Sequence, residues 1–243
     1  MTVRIGMITP SSNTVLEPLS AEILTALPDV TAHVARLRVT TISTEGDALA
    51  QFAPEAFYPA ADLLADANVH VMGWNGTSPA WMGFAGDEAL AAALSDRFEV
   101  ATTSAVIAVN QLLRLFGARR IAFVSPYVDA VQERILKVYA AAGYECVAER
   151  HRGISVNYDF ALIDEETIWA DLEAVAEARP DAVVVMCTNM RGARLAERFE
   201  AAFDIPLIDT VSAFLWGALD AAGADPSPIT GWGRLFSMRS GSA

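Results

Sequence analysis

The sequence predicts an α/β protein of two pseudo-symmetric lobes, each a mainly parallel sheet flanked by helices, with the functional site between the lobes. Three observations point there. Short β-branched runs alternate with Ala/Leu/Glu-rich segments of helical spacing, which implies right-handed βαβ crossovers and parallel sheets. The runs are almost continuously apolar, as strands buried on both faces must be. The pattern also occurs twice. Ile5-Gly6-Met7-Ile8-Thr9-Pro10-Ser11 resembles Ile121-Ala122-Phe123-Val124-Ser125-Pro126-Tyr127, and the run ending before Gly76-Thr77-Ser78 resembles the one ending at Cys187-Thr188-Asn189. From Pro10 to Gly76 is 66 residues, and from Pro126 to Cys187 is 61.

In chain order, strands are expected at 3–9, 30–39, 69–73, 121–125, 146–150, 182–187 and 206–209, where Val, Ile and other apolar residues cluster. Helices are expected at 15–26, 53–66, 85–95, 104–116, 128–142, 165–178, 191–203 and 211–221, where apolar residues recur at helical spacing. No long linker interrupts this order before the Gly/Ser-rich tail after Phe236, which is expected to fray. Each lobe thus presents two polar loops at the carboxyl ends of its strands. Ligands of open α/β sheets bind at such loops, and a cleft between lobes is the natural pocket.

Composition narrows the partners. The 243 residues carry 17 Lys+Arg against 30 Asp+Glu, a net charge of −13, with 53% hydrophobic and 19% charged residues. That is too apolar for disorder, and the charge repels nucleic acid and anionic membrane surfaces. The greasiest stretch, from Ala182 to Cys187, falls far short of the ~20 residues that cross a bilayer. The first residues lack the apolar core of a signal peptide, so a cytoplasmic location is expected. With two cysteines, Cys146 and Cys187, and three histidines, there is neither a disulfide framework nor a zinc motif, and a metal-free protein is expected.

The loops carry the chemistry. Pro10-Ser11-Ser12-Asn13-Thr14 turns a strand into a helix. Asn13 reads either as a simple cap or as part of a carboxylate seat at the helix N-terminus. Gly76-Thr77-Ser78 offers a permissive backbone and two hydroxyls, and the nearby Trp74, Trp81, Met82 and Phe84 are core filler or walls that exclude water. Tyr127 can direct its phenol into the cleft or leave it in water. Cys187 ends the most apolar strand where a helix begins, so exposed N–H groups there are expected to stabilise its thiolate. Cys146 reads as structural.

Taken together, Pro10-Ser11-Ser12-Asn13-Thr14, Gly76-Thr77-Ser78, Val124-Ser125-Pro126-Tyr127, Cys187-Thr188 and Gly231-Trp232-Gly233-Arg234-Leu235-Phe236 resemble the aspartate/glutamate racemase superfamily. The resemblance is to its arylmalonate decarboxylase and maleate cis–trans isomerase branch, and it covers nearly the whole chain. It implies an active site between two lobes, no cofactor and a small carboxylate substrate. It also implies that residues 1–101 and 209–243 form the first lobe and 102–208 the second. Self-association into a homo-oligomer is compatible with it.

The racemases use two facing cysteines. By this resemblance the second-lobe cysteine is Cys187 and the first-lobe position is Gly76, so two-thiol racemisation is excluded and a Gly76→Cys substitution is expected to confer some of it. A lone second-lobe thiol resembles the decarboxylases. There Gly76, Thr77, Ser78, Tyr127 and the backbone at Thr188 would hold one carboxylate among neutral donors, and Cys187 would protonate the carbanion left by carbon dioxide. Three residues depart from that pattern. Thr188 stands where decarboxylases have Gly, and Asn13 and Asn157 resemble the carboxylate-binding asparagines of the isomerases. Decarboxylation of a malonate-type acid is the leading expectation. Isomerisation of a maleate-like diacid by a single cysteine, or dicarboxylate binding without catalysis, are the alternatives.

Overall fold

A computed structural model of the chain describes residues 2–44 and 51–241. It contains two four-stranded parallel sheets with the same strand order. The first runs β2 (Val30–Leu37), β1 (Val3–Pro10), β3 (Val71–Trp74), β4 (Ala101–Ser104). The second runs β6 (Glu145–His151), β5 (Arg120–Ser125), β7 (Ala182–Val185), β8 (Leu207–Asp209). The repeat seen in sequence is therefore a repeat of topology. β1 and β5 are central in their sheets and flanked on both sides by parallel neighbours. Their apolar runs follow from that position, since a central parallel strand under two helical layers meets no water.

Helices cover the sheets. They are α1 (Leu16–Ile23), α2 (Pro54–Asp66), α3 (Pro79–Met82), α4 (Phe84–Phe98), α5 (Ala105–Leu115), α6 (Asp129–Ala141), α7 (Glu165–Ala176), α8 (Ala196–Phe203) and α9 (Thr210–Ala221). The expected helix at 15–26 ends as a 3-10 turn from Leu24, and the one at 191–203 begins as a 3-10 turn at Gly192–Leu195. β4 is the strand that the sequence reading lacks. Its four residues, Ala-Thr-Thr-Ser, carry no apolar run, and tertiary pairing with β3 fixes them extended. The first sheet thus continues to Ser104, and the chain passes to the second sheet through α5.

The chain leaves the second sheet at Asp209 and α9 packs against α5 and β4 of the first. A Cβ at Gly217 of α9 would stand 2.7 Å from the Ala108 Cβ, so these helices meet as closely as they do only because that position has no side chain. The segment beyond Phe236 is not frayed as far as Gly241. The Trp216 indole donates to the Met238 carbonyl at 3.0 Å, Arg239 pairs with Asp225, and Ser240 bonds Asp220. Residues 242–243 of that tail lie outside the described residues. Among the described residues no helix is long and apolar enough to cross a membrane.

Two buried carboxyls hold helix ends. Asp209 caps α9 by accepting the Val211 and Ser212 N–H groups at 2.9 and 3.3 Å. Asp87, on α4, accepts the Ser104 hydroxyl, which in turn accepts the Ile107 N–H that opens α5. Burial raises both carboxyls from 3.8 to about 7. Each therefore binds its proton more tightly folded than unfolded. The stability it contributes is complete below 3.8 and is lost as the pH climbs through about 7, at a slope of up to ~1.4 kcal/mol per pH unit for each group. Asp209→Asn keeps an acceptor for the cap and removes one titration. In urea unfolding, the variant should lose less stability than the parent between about pH 5 and about pH 8. Equal losses would show that Asp209 is ionised without penalty.

Candidate active site

The site forms where the carboxyl ends of both sheets face each other. β1 ends at Pro10, β3 at Trp74, β5 at Ser125 and β7 at Val185, and the turns after them carry Asn13, Thr77, Tyr127 and Cys187. Cys187 is 2% exposed. Its Sγ accepts the Asn189 N–H at 3.3 Å. Burial pushes the thiol up to about 12, against the lowering pull of the Asn189 N–H and the Tyr127 hydroxyl, and the nearby Asp209 adds to the rise. The sequence reading expected N–H groups to stabilise a thiolate at this turn. One N–H does reach the sulfur, but desolvation outweighs it, so the resting group is a protonated S–H.

Tyr127 joins the lobes. Its Oη lies 2.5 Å from Thr77 Oγ1, and its hydroxyl also bonds Cys187. Burial holds the phenol well above its usual range, so it stays a neutral donor. The ring is fixed edge-on by Trp81 and Phe160, with centroids 5.1 and 5.5 Å away. The alternative of a hydroxyl in water is excluded. Ser78 Oγ accepts the Trp74 indole N–H at 3.1 Å.

Six of the eight residues singled out in the sequence line one cavity: Thr77, Ser78, Tyr127, Asn157, Cys187 and Thr188. Val39, Ile42 and Phe52 close its other side. In this state it measures about 10 Å³, room for one water-sized sphere. A cavity does reach the sulfur. Among the described residues no Lys or Arg side chain lines it, so the donors seen there are neutral. Among the described residues, the backbone N–H groups of Thr77, Ser78 and Thr188 donate to no other protein group.

Asn13 and Gly76 are not among the walls. Asn13 Oδ1 accepts the Val15 and Leu16 N–H groups at 3.0 and 2.9 Å, and its Nδ2 donates across the seam to Thr188 O and Oγ1 at 3.0 and 3.2 Å. Asn189 Oδ1 accepts Thr14 N–H at 3.0 Å and Val15 N–H at 3.3 Å. The α1 N-terminus, which looked in sequence like a seat for a carboxylate, is thus filled by two carboxamides of the protein itself. Asn157 does face the cavity, while its Nδ2 donates to Ser12 Oγ at 2.7 Å and its carbonyl accepts Asn189 Nδ2 at 2.6 Å.

One residue escaped the sequence reading, and a second was read there only as bulk. Asn189 follows the cysteine turn, but its partners stand some 174 positions away, and no local pattern announces them. Trp81 lines the cavity with an indole N–H that has no partner among the described residues. Its bulk was visible in the sequence, and its free donor was not. Among the described residues, no group of three or more His, Cys, Asp or Glu is placed to hold a metal ion.

The doubled strand order and the thiol at the seam define the class: a two-lobed α/β protein of the aspartate/glutamate racemase type. Within it, the chain belongs to the arylmalonate decarboxylase family, whose model matches residues 5–236. Relatives carry two activities. The chain is 26% identical to a maleate isomerase of Nocardia farcinica, with 96% of this chain and 95% of that one covered. It is 27% identical to an arylmalonate decarboxylase of Bordetella bronchiseptica, covering 97% of each. Among solved structures, the maleate isomerase Iso from Pseudomonas putida S16 superposes with a TM-score of 0.87 at 26% identity, over 98% of this chain and 99% of that chain.

The geometry at Gly76 bears on one expectation, that a cysteine placed there faces Cys187. A Cβ there would lie 2.3 Å from Trp74 Cζ2 and 2.4 Å from Cε2. The indole is itself wedged by Phe57, edge-on at 5.1 Å, and by Phe52 at 6.2 Å. A thiol placed at Gly76 therefore meets the indole before it meets a substrate, and a facing pair of cysteines needs Trp74 reduced first. Gly76→Ala should cost roughly 1–3 kcal/mol in chemical unfolding, the usual range for overpacking, and adding Trp74→Leu should recover part of that loss. A neutral Gly76→Ala would mean that the ring yields freely.

Proposed function

We propose that the protein is a cofactor-independent decarboxylase of a small malonate-type acid. The observation that carries this reading is the buried, protonated Cys187 facing neutral donors from both lobes. Addition to a double bond calls for a thiolate nucleophile, whereas completing a decarboxylation calls for a proton donor. A thiol raised to about 12 suits the second task.

In the proposed sequence, one substrate carboxylate is held by the free N–H groups of Thr77, Ser78 and Thr188 with the Thr77 and Tyr127 hydroxyls. The other carboxylate faces the apolar side made by Val39, Ile42 and Phe52, where nothing compensates its charge. The bond from the α-carbon to that group breaks and carbon dioxide leaves. Its electron pair spreads into the retained carboxylate as an enediolate, which the neutral donors stabilise more strongly than the ground state. The Cys187 S–H gives its proton to the α-carbon from one face, and the sulfur regains a proton from water before the next turnover. Asn157 is placed to contact a polar substituent.

The alternative, isomerisation of a maleate-like diacid, draws support from the maleate isomerases among the relatives. Proton NMR in deuterium oxide separates the readings. Incubated with an aryl- or alkylmalonate, the protein should yield the α-deuterated monoacid, and maleate should not give fumarate. Fumarate formation without decarboxylation would select the isomerase, and saturable binding of both acids without turnover would select a binding protein. Cys187→Ala should abolish turnover while leaving ligand affinity within about threefold. Thr77→Val, which removes one donor, should lower kcat by ~10²–10³.

A further inference from the structure

The cavity at the thiol, about 10 Å³, adjoins a larger one of about 300 Å³. Phe52, Trp74 and Ser78 line both and so form the partition between them. Beyond it the larger cavity is apolar, with Phe57, Pro79 and Leu90 among its walls. Apart from the Trp74 indole it has two polar side chains, and both are engaged: Ser78 by that indole and Asp87 by the Ser104 hydroxyl. An apolar cavity of about 150 Å³ holds a benzene ring, so this one has room for an aryl group. The room lies next to the thiol and is closed off from it.

Trp74 is the fixed part of the partition. It is buried, and its Nε1–H donates to Ser78 Oγ at 3.1 Å. Phe57 and Phe52 pack against the indole with centroids 5.1 and 6.2 Å away, and the Gly76 backbone stands against its six-membered ring. Swinging the ring aside therefore breaks a buried hydrogen bond and two aromatic contacts, each of which costs free energy.

We infer that Trp74 sets the size of the substrate: the protein takes malonates whose α-substituent is hydrogen or a short alkyl group, and Trp74 denies an aryl substituent the apolar space behind it. The class of acid rests on the decarboxylase reading above, whereas the position of the partition does not. A smaller residue at 74 joins the two cavities and gives an aryl group a place beside the thiol. The joined space can also be refilled from its far side. Gly86 lines the larger cavity but not the thiol cavity, and a Cβ there meets nothing within 4 Å, so a Phe at that position has room to enter.

Methylmalonate and phenylmalonate, compared on the full chain, test the assignment. Decarboxylation is followed by proton NMR, and affinity by calorimetry in a Cys187→Ala background, which needs no turnover. The parent should favour methylmalonate in kcat/KM by at least about tenfold, the discrimination that steric exclusion from a pocket supplies. Trp74→Leu should move that ratio at least about tenfold toward phenylmalonate, and Trp74→Phe should move it the same way by less. Gly86→Phe added to Trp74→Leu should reverse the shift, which a general loosening of the fold would not do. The affinities should follow the same order, and Trp74→Phe serves alone if Trp74→Leu does not fold. Equal use of both acids by the parent, an unchanged ratio in the folded Trp74 variants, or a shift that Gly86→Phe leaves in place would each overturn the proposal. Affinities in the expected order without decarboxylation would refute the decarboxylase reading and leave the size filter standing. Decarboxylation of both acids at equal rates would do the opposite, and binding of neither acid would overturn both.

Discussion

Two carboxamides, Asn13 from the first lobe and Asn189 from the second, compete for the N–H groups that open α1, and the rest of the site follows from their sharing them. Asn13 takes Val15 and Leu16, while Asn189 takes Thr14 and Val15. Each reaches its own or the facing turn with its remaining polar groups, Asn13 to Thr188 and Asn189 to Asn157. The turn after β7 is therefore held at both Thr188 and Asn189, and the sulfur between them and the strand has little freedom. Buried amide groups that satisfy one another in this way fix geometry because leaving any of them unpaired costs about 1–3 kcal/mol.

That arrangement removes the strongest anion-binding feature from the site. A free helix N-terminus would attract a carboxylate through its exposed N–H groups and dipole. Here those groups are spent inside the protein, and among the described residues no cation lines the cavity. What remains are hydroxyls, indoles and three backbone N–H groups. Such donors stabilise charge that develops in place without holding every anion tightly beforehand, which is the differential binding that catalysis requires. The same dry environment acts on Cys187. Desolvation outweighs its two hydrogen bonds and keeps the proton on sulfur, so burial sets the chemical role of the thiol as much as the neighbouring groups do.

How far the sequence could be read depended on where the information lay. The repeat was legible because β1, β5 and β7 are buried by helices on both faces, and burial forces a continuous apolar run wherever such a strand occurs. β4 was not, since Thr102, Thr103 and Ser104 are held extended by β3 and by bonds such as Thr102 to the Ala91 carbonyl, not by their own preference. The tail after Phe236 looked loose because its Gly and Ser say nothing of the Trp216 indole that anchors Met238. In the site, the polar loops pointed to Thr77, Ser78, Tyr127, Cys187 and Thr188, and the family resemblance added Asn157; all six meet in one cavity. Asn13 and Gly76 are drawn instead into the capping of α1 and the packing of Trp74.

By itself the sequence determined the doubled α/β plan, the turns that carry polar groups, and the presence of a single thiol where the two halves meet. These are local properties: periodicity, burial of whole strands and residue type at a strand end. Only the tertiary structure decided the protonation of that thiol, the filling of the α1 N-terminus and the wedge of indole against Gly76. Each depends on groups far apart in the chain competing for the same space, hydrogen bonds or water, and no stretch of sequence contains both competitors.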